Sequence, residues 1–196
     1  MQPNKKFVLC ITGASGSLYA KTFLDKALGL NLEVECIVSE NARKVIEYEL
    51  EIPYGEFINF YSSKGVKFHD PKDFFSPLAS GSRLTLYDGV VILPCSVGTL
   101  GAIANGIGNN LIHRVGDVAI KEGVPLLLAV REMPLSAIHL ENMLKLQRIG
   151  VKAFPISPPF YGKPKTLEEL LVSTVGKIFD LLGVKGKTYR RWGENQ

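Results

Sequence analysis

The chain is poor in the residues that build metal and redox centres: three cysteines, three histidines and one tryptophan in 196 residues. Cys10, Cys36 and Cys95 each lie in or at the end of an apolar run, and no CxxC or Cys/His ligand spacing joins them. That excludes a zinc ribbon or a disulfide framework and fits buried, reduced thiols in a cytoplasmic protein. His69, His113 and His139 are widely separated, with no HExxH and no EF-hand loop, so no metal is expected. The one close aspartate pair of its region, Asp70 and Asp73, reads as a turn cap. Also missing are GxSxG, GxxxxGK[ST] and any apolar run near the ~20 residues that a membrane span needs. No charged segment precedes a long apolar one, so neither membrane insertion nor export is expected. Lysine and arginine total 23 against 19 acidic residues, a net charge of +4. The single basic cluster, "KGKTYRRWG", reads as a solvated tail and gives no ground for a nucleic-acid partner.

What the chain does have is alternation. "FVLCI", "VECIVS", "GVVILPC", "VPLLLAV" and "VKAFPI" are short apolar runs, each followed by a longer helical pattern. This predicts an α/β fold: a single domain over residues 1–182, built of βαβ units whose parallel sheet carries helices on both faces, then a tail over 183–196. The last helix is expected from Thr166 to Leu182, with Leu167, Leu170, Leu171, Val175, Ile178, Phe179 and Leu182 on one stripe. Lys177 sits on the shoulder of that stripe, either snorkelling or turned inward as an anion ligand. Between about Ile52 and Tyr87 the alternation fails, in a stretch rich in aromatics, Gly, Pro and Ser. An irregular excursion of that length reads as a lid or an interface segment.

In an open α/β sheet ligands bind beyond the carboxyl ends of the strands. Here those positions are small and polar. After the first strand comes "TGASGS", where glycines allow close backbone approach and a helix start offers N–H groups to a phosphate. The pattern is not GxGxxG, which points to a mononucleotide rather than a dinucleotide. Ser39 ends the second strand, as a helix cap or as a ligand. The third ends in "PCSVGT", with Ser96, Gly98 and Thr99. Arg131 and Glu132 follow the fourth, and Tyr161 follows the fifth in "SPPFYG". Together with Arg114, Lys121 and Lys177 these are more cations and hydroxyls than one phosphate requires, which suits two phosphorylated ligands.

"TGASGS", "PCSVGTL", "NNLIHR", "REMPLSAIHLENMLKL", "PPFYGKP" and the terminal "RWG" resemble the flavin prenyltransferases, and the resemblance weakens only between about Ile52 and Leu78. It implies a Rossmann-like (flavodoxin-like) flavoprotein, an enzyme that binds reduced FMN and dimethylallyl phosphate and joins prenyl C1 to flavin N5, then closes a ring through C6. The product, prenylated FMN, would pass to a partner decarboxylase. The resemblance also implies a homo-oligomer, a dodecamer, with sites built between subunits, and a tail closing over the active site. FMN binding falls to Gly13, Ala14, Ser15, Ser39, Ser96, Val97, Gly98, Thr99 and Arg131. Lys121, Arg131, Tyr161 and Lys177 match the prenyl phosphate pocket. Ser15, Glu49, Glu132 and Arg114 match residues that relay protons or assist phosphate departure. Clustered cations make phosphate a better leaving group, so a metal is unnecessary.

This chain departs from the family pattern twice. Lys177 replaces an arginine and loses the bidentate fork. Phe74 or Phe75 stands where many members place a tryptophan, as an aromatic wall beside an allyl cation. The uncharged middle of "PCSVGTLGAIANGIGNNLIHR" is expected to pack closely against a neighbouring subunit. Two other readings are a flavin-dependent cysteine-type decarboxylase, whose substrate-clamping Asn and reactive Cys flap are not clearly supplied, and a non-catalytic FMN carrier.

Overall fold

In the computed structural model, which describes residues 5–185, 189, 191 and 193, each apolar run forms a parallel strand. The strands are β1 (Lys6–Ile11), β2 (Glu33–Val38), β3 (Lys67–His69), β4 (Gly89–Cys95), β5 (Leu126–Val130) and β6 (Lys152–Pro155). Their order is β3-β2-β1-β4-β5-β6, the doubly wound Rossmann arrangement. Without the short edge strand β3, the other five run in the flavodoxin-like order. Every residue of β4 is buried, because it lies mid-sheet with helices above and below.

Period-two alternation divides the side chains between two cores. Phe7, Leu9 and Ile11 face α1 (Ser17–Gly29), α2 (Glu40–Leu50), α3 (Tyr54–Ser62) and α8 (Leu167–Leu181). Val8 and Cys10 face α4 (Gly81–Leu84), α5 (Val97–Ala104), α6 (Leu111–Glu122) and α7 (Ala137–Arg148). Phe23 of α1 stacks on Phe179 of α8 with ring centroids 4.6 Å apart, which fastens the last helix to the first. Thr166 caps α8 by accepting from the Glu169 N–H at 3.2 Å. The expected stripe is buried from Leu171 onward, whereas Leu167 stands 59% exposed.

The excursion is more regular than expected. It contains α3, β3, a 3-10 turn (Pro77–Ala79) and α4. Gly55 and the aromatics of α3 have weak helix propensity; burial of Phe57 and Tyr61, whose rings lie 4.9 Å apart, stabilises that helix instead. β3 and α4 are too short to leave a period in the sequence. Leu78, Leu84 and Tyr87 enter the second core, so the excursion covers β1–β3 on that face where a helix would otherwise lie.

The tail is held on α8 through its described residues. The Tyr189 hydroxyl donates to Asp180 at 2.8 Å, and the Arg191 guanidinium donates to the other Asp180 oxygen at 2.7 Å. Gly186, Lys187, Thr188, Arg190 and Trp192 of the terminal basic cluster lie outside the described residues.

Candidate active site

Hydrogen bonds continue one residue beyond the strands. Ser39 N–H donates to Ile11 C=O (3.0 Å), Thr12 N–H to Pro94 C=O (3.3 Å), Arg131 N–H to Cys95 C=O (3.1 Å) and Ile156 N–H to Val130 C=O (2.8 Å). The ladder therefore sets Ser39, Thr12, Ser96, Arg131 and Ile156 in one row along the carboxyl rim. Strand order reverses between β1 and β4, and there the rim is clamped by a residue the motif reading passed over. The buried Thr12 hydroxyl donates to Pro94 C=O and accepts from Ser96 N–H, both at 2.7 Å. A polar side chain immediately after the apolar run of β1 is the signal that could have found it.

Three helix N-termini meet at this rim, and they are used differently. Ser39 caps α2 by accepting from Ala42 N–H at 3.2 Å, so the capping role holds. Ser96 caps α5 by accepting from Thr99 N–H at 3.3 Å. Gly98, exposed in the first turn of α5, has no atom within 4 Å of the place a Cβ would take, so the chain leaves its backbone approachable. The N-terminus of α1, expected to hold a phosphate, is instead filled by Glu49. Its carboxylate accepts from Gly16 N–H (3.0 and 2.9 Å) and Ser17 N–H (2.6 Å). Burial pushes the Glu49 carboxyl up, but hydrogen bonds from the Ser15 hydroxyl and these two N–H groups outweigh it and hold the group below its ordinary value. The residues therefore fit a mononucleotide phosphate at α5, not at α1.

Gly13 is required by close approach. A Cβ there would stand 2.6 Å from the Asn41 Cβ in the first turn of α2. Gly13→Ala pushes α2 and Ser39 outward; overpacking of about 1–3 kcal/mol is expected. Thermal unfolding and an FMN titration check this, with a lower Tm and weaker flavin binding as the expected results.

Arg131 extends from the rim, exposed, and its charge reaches the half-buried Tyr19 hydroxyl. Glu132 accepts from Met133 N–H at 3.0 Å. Beyond β6 a cleft of about 580 Å³ opens between the edge strand and α8. Phe154, Ile156, Pro159, Ile178 and Leu181 give it an apolar wall, and Tyr161, Lys177 and Tyr189 bring polar groups to it. Lys177 is thus an exposed lysine at the cleft, and its charge, with the bonds from Arg191 and Tyr189, helps hold the Asp180 carboxyl low against the effect of burial.

Not every expected site residue gathers there. Lys121, in the last turn of α6, lies toward the amino end of β5, opposite the rim, and pairs with Glu122 at 2.9 Å. Arg114 is at the rim end of α6, but it donates to Ala79 C=O (3.3 Å) and pairs with Asp117 (3.0 Å). Phe74 and Phe75, 47% and 101% exposed, emerge beyond β3 at the opposite edge of the sheet from the cleft. The uncharged middle expected to meet a neighbour divides in two: Leu100, Ala102, Ile103 and Ala104 are buried in their own chain, whereas residues 105–109 are exposed, Ile107 among them at 46%. A Cβ on Gly116 would meet Ile103 at 2.7 Å, so its small size serves packing within the subunit. Among the described residues no group of three or more His, Cys, Asp or Glu is placed to hold a metal, and no helix is long and apolar enough to cross a membrane. Burial pushes all three thiols up, so none is primed as a nucleophile.

A doubly wound sheet with an approachable helix N-terminus at its switch point defines a mononucleotide-binding protein. The chain belongs to the Flavoprotein family, whose model matches residues 1–179. It is 48% identical over 188 residues to the flavin prenyltransferase UbiX of Aquifex aeolicus, covering 96% of this chain and 98% of that protein. Among solved structures it resembles AnUbiX (PadA1) in complex with FMN and dimethylallyl pyrophosphate: TM-score 0.91, 34% identity, 98% of this chain and 100% of that one. It also resembles a dodecameric FMN-dependent UbiX-like decarboxylase from Escherichia coli O157:H7: TM-score 0.87, 35% identity, 95% of this chain and 98% of that one.

Proposed function

We propose that the protein is a metal-independent flavin prenyltransferase, transferring the prenyl group of dimethylallyl phosphate to reduced FMN. The observation that carries this reading is the open α5 N-terminus at the switch point of the sheet, and the apolar-walled cleft beside β6, with Tyr161 and Lys177, supports it as a place for the second ligand. Reduced FMN supplies the two nucleophilic positions, N5 and C6, that take the prenyl group. The Val97 and Gly98 amides at the start of α5, with Ser39 and Ser96, hold the flavin phosphate, and Gly13, Ala14, Ser15 and Thr99 line its approach. Arg131 lies between the two ligands. Tyr161 and Lys177 hold the prenyl phosphate while the C–O bond breaks and phosphate departs with the electron pair. Held as a carboxylate, Glu49 accepts a proton through Ser15, and Glu132 assists the departure of phosphate.

Lys121, Arg114 and Phe74 complete this reading only in an assembly. Because α6 carries Lys121 to the far end of the sheet, its ammonium serves a neighbour's cleft, and the exposed Phe74 and Phe75 lie where a second subunit would cover them. A dodecamer meets that need. The product passes to a partner decarboxylase, and three free, buried thiols support a cytoplasmic location. Anaerobic incubation with reduced FMN and dimethylallyl phosphate is expected to give a flavin heavier by one C5 prenyl group; mass spectrometry finding FMN alone would overturn the assignment. Lys177→Ala is expected to weaken the prenyl phosphate about 10–100-fold, as loss of a charge-assisted hydrogen bond of ~1.5–3 kcal/mol implies, with FMN affinity kept. Titration of each ligand checks this, and equal losses would remove Lys177 from the prenyl site.

A further inference from the structure

Among the described residues Glu35 is the one Asp, Glu, Lys, Arg or His side chain that is buried, at 7% exposure. It sits on β2 opposite Val8, at the border where that face passes through Val8 and Ile37 into the apolar second core. A carboxylate in such a place costs several kcal/mol of desolvation unless it is paired, and here it is paired on two sides. Lys6 approaches one oxygen at 2.7 Å, with Lys67 farther off at 4.0 Å. His69, the last residue of β3, meets the other oxygen through Nε2 at 2.6 Å. Its second ring nitrogen, Nδ1, lies 2.9 Å from the buried Ser76 hydroxyl. Ser76 in turn accepts from Leu78 N–H at 3.4 Å.

Donor and acceptor counts close with one tautomer. Nε2–H donates to the carboxylate, Nδ1 accepts from Ser76 O–H, and the Ser76 oxygen keeps its lone pairs for Leu78 N–H. Phe74 and Phe75 lie between the two ends of this bridge. Phe75 is fully exposed, so the tip has little apolar packing of its own. Two further bonds near the tip are local turns, Lys72 N–H to Asp70 and Phe75 N–H to Asp73. They shape the loop but do not attach it. The attachment comes from Leu111 N–H to Pro71 C=O at 2.7 Å and an exposed Lys72–Glu40 ion pair on one side of the tip, and from the buried His69–Ser76 link on the other.

We propose that His69 is a positioning residue: by bridging the buried Glu35 carboxylate to the Ser76 hydroxyl, it fixes the aromatic Phe74–Phe75 segment at the carboxyl rim of the sheet. That the segment serves as an aromatic wall rests on the prenyl-transfer reading; that the bridge fixes it does not. Ser76→Ala removes one link and leaves the Glu35 pairs intact, whereas His69→Ala removes both.

Hydrogen exchange read by mass spectrometry on the full-length protein is expected to show faster exchange over residues 70–80 in both variants, with β1 and β2 unchanged. FMN affinity stays at the wild-type value. The kcat/KM for dimethylallyl phosphate falls about ten-fold, through KM more than kcat, as misplacement of a substrate-facing wall produces. Unchanged exchange over 70–80 in Ser76→Ala overturns the proposal, and so does faster exchange spread evenly over β1, β2 and β3, the signature of a merely structural role. If the wild-type protein forms no prenyl adduct, the functional reading fails alone, and the exchange measurement still decides whether the bridge holds the segment.

Discussion

Glu49→Gln is expected to cut the rate of prenyl transfer by about 100-fold or more, the usual weight of a positioned proton acceptor, while the protein keeps its FMN. Four donors converge on this carboxylate, the Ser15 and Ser17 hydroxyls and the N–H groups of Gly16 and Ser17, and they hold it ionised. Glutamine keeps the size and one carbonyl acceptor for the α1 terminus but cannot take a proton. The flavin phosphate lies at α5 in the proposed arrangement, so its binding does not depend on that charge. Single-turnover kinetics with a parallel FMN titration separates the two effects; equal loss of both would make Glu49 part of the flavin site, and a pure flavin carrier would show neither. The pH response follows from the same bonds. A carboxyl whose folded pKa lies below its unfolded value contributes stability above the unfolded pKa, and that contribution fades as pH falls through the folded one. Acid titration of unfolding should therefore show a steeper loss for the wild-type protein than for Glu49→Gln below the ordinary carboxyl range.

Thr12→Val is expected to destabilise the fold by about 2–4 kcal/mol, because valine fills the same space but strands two buried backbone groups. Pro94 C=O would keep only the long 3.3 Å bond from Thr12 N–H, and Ser96 N–H would lose its acceptor. The consequence reaches ligand binding as well. Ser96 begins α5, so a loosened switch point lets the proposed phosphate site drift, and weaker FMN binding should accompany the lower stability. Denaturant unfolding and a flavin titration on the same variant test both. A stable variant with unaltered flavin affinity would show that the β1–β4 clamp has no bearing on the site. Thr12→Ser, which retains the hydroxyl, should recover most of both losses.

Much of this molecule could be read from residue order. The alternation of "FVLCI", "VECIVS", "GVVILPC", "VPLLLAV" and "VKAFPI" with helical patterns follows from burial on both faces of a parallel sheet, and each of these runs contains a strand. The serines at strand ends were legible because a helix start needs an acceptor there; Ser39 and Ser96 both cap. The excursion was less legible. Its helix α3 rests on Phe57 and Tyr61 reaching the core rather than on propensity, and β3 is three residues long. The role of Glu49 was half legible: its importance came with the family resemblance, but its seat on the α1 terminus depends on the path of α2.

Local chemistry along the chain thus determined the strands, the caps and the kind of ligand the rim suits, because these depend on neighbours a few residues apart. The tertiary structure alone decided which of these groups meet. Thr12 bridges to Pro94 and Ser96, and Glu35 reaches His69 and through it Ser76, across gaps that no periodicity records. Lys121 and Lys177 look alike as isolated cations in the sequence. The direction of α6 carries one to the far end of the sheet, and the packing of α8 leaves the other at the cleft. Side-chain type fixes what a residue can do, while the order in which strands pair fixes where it can do it.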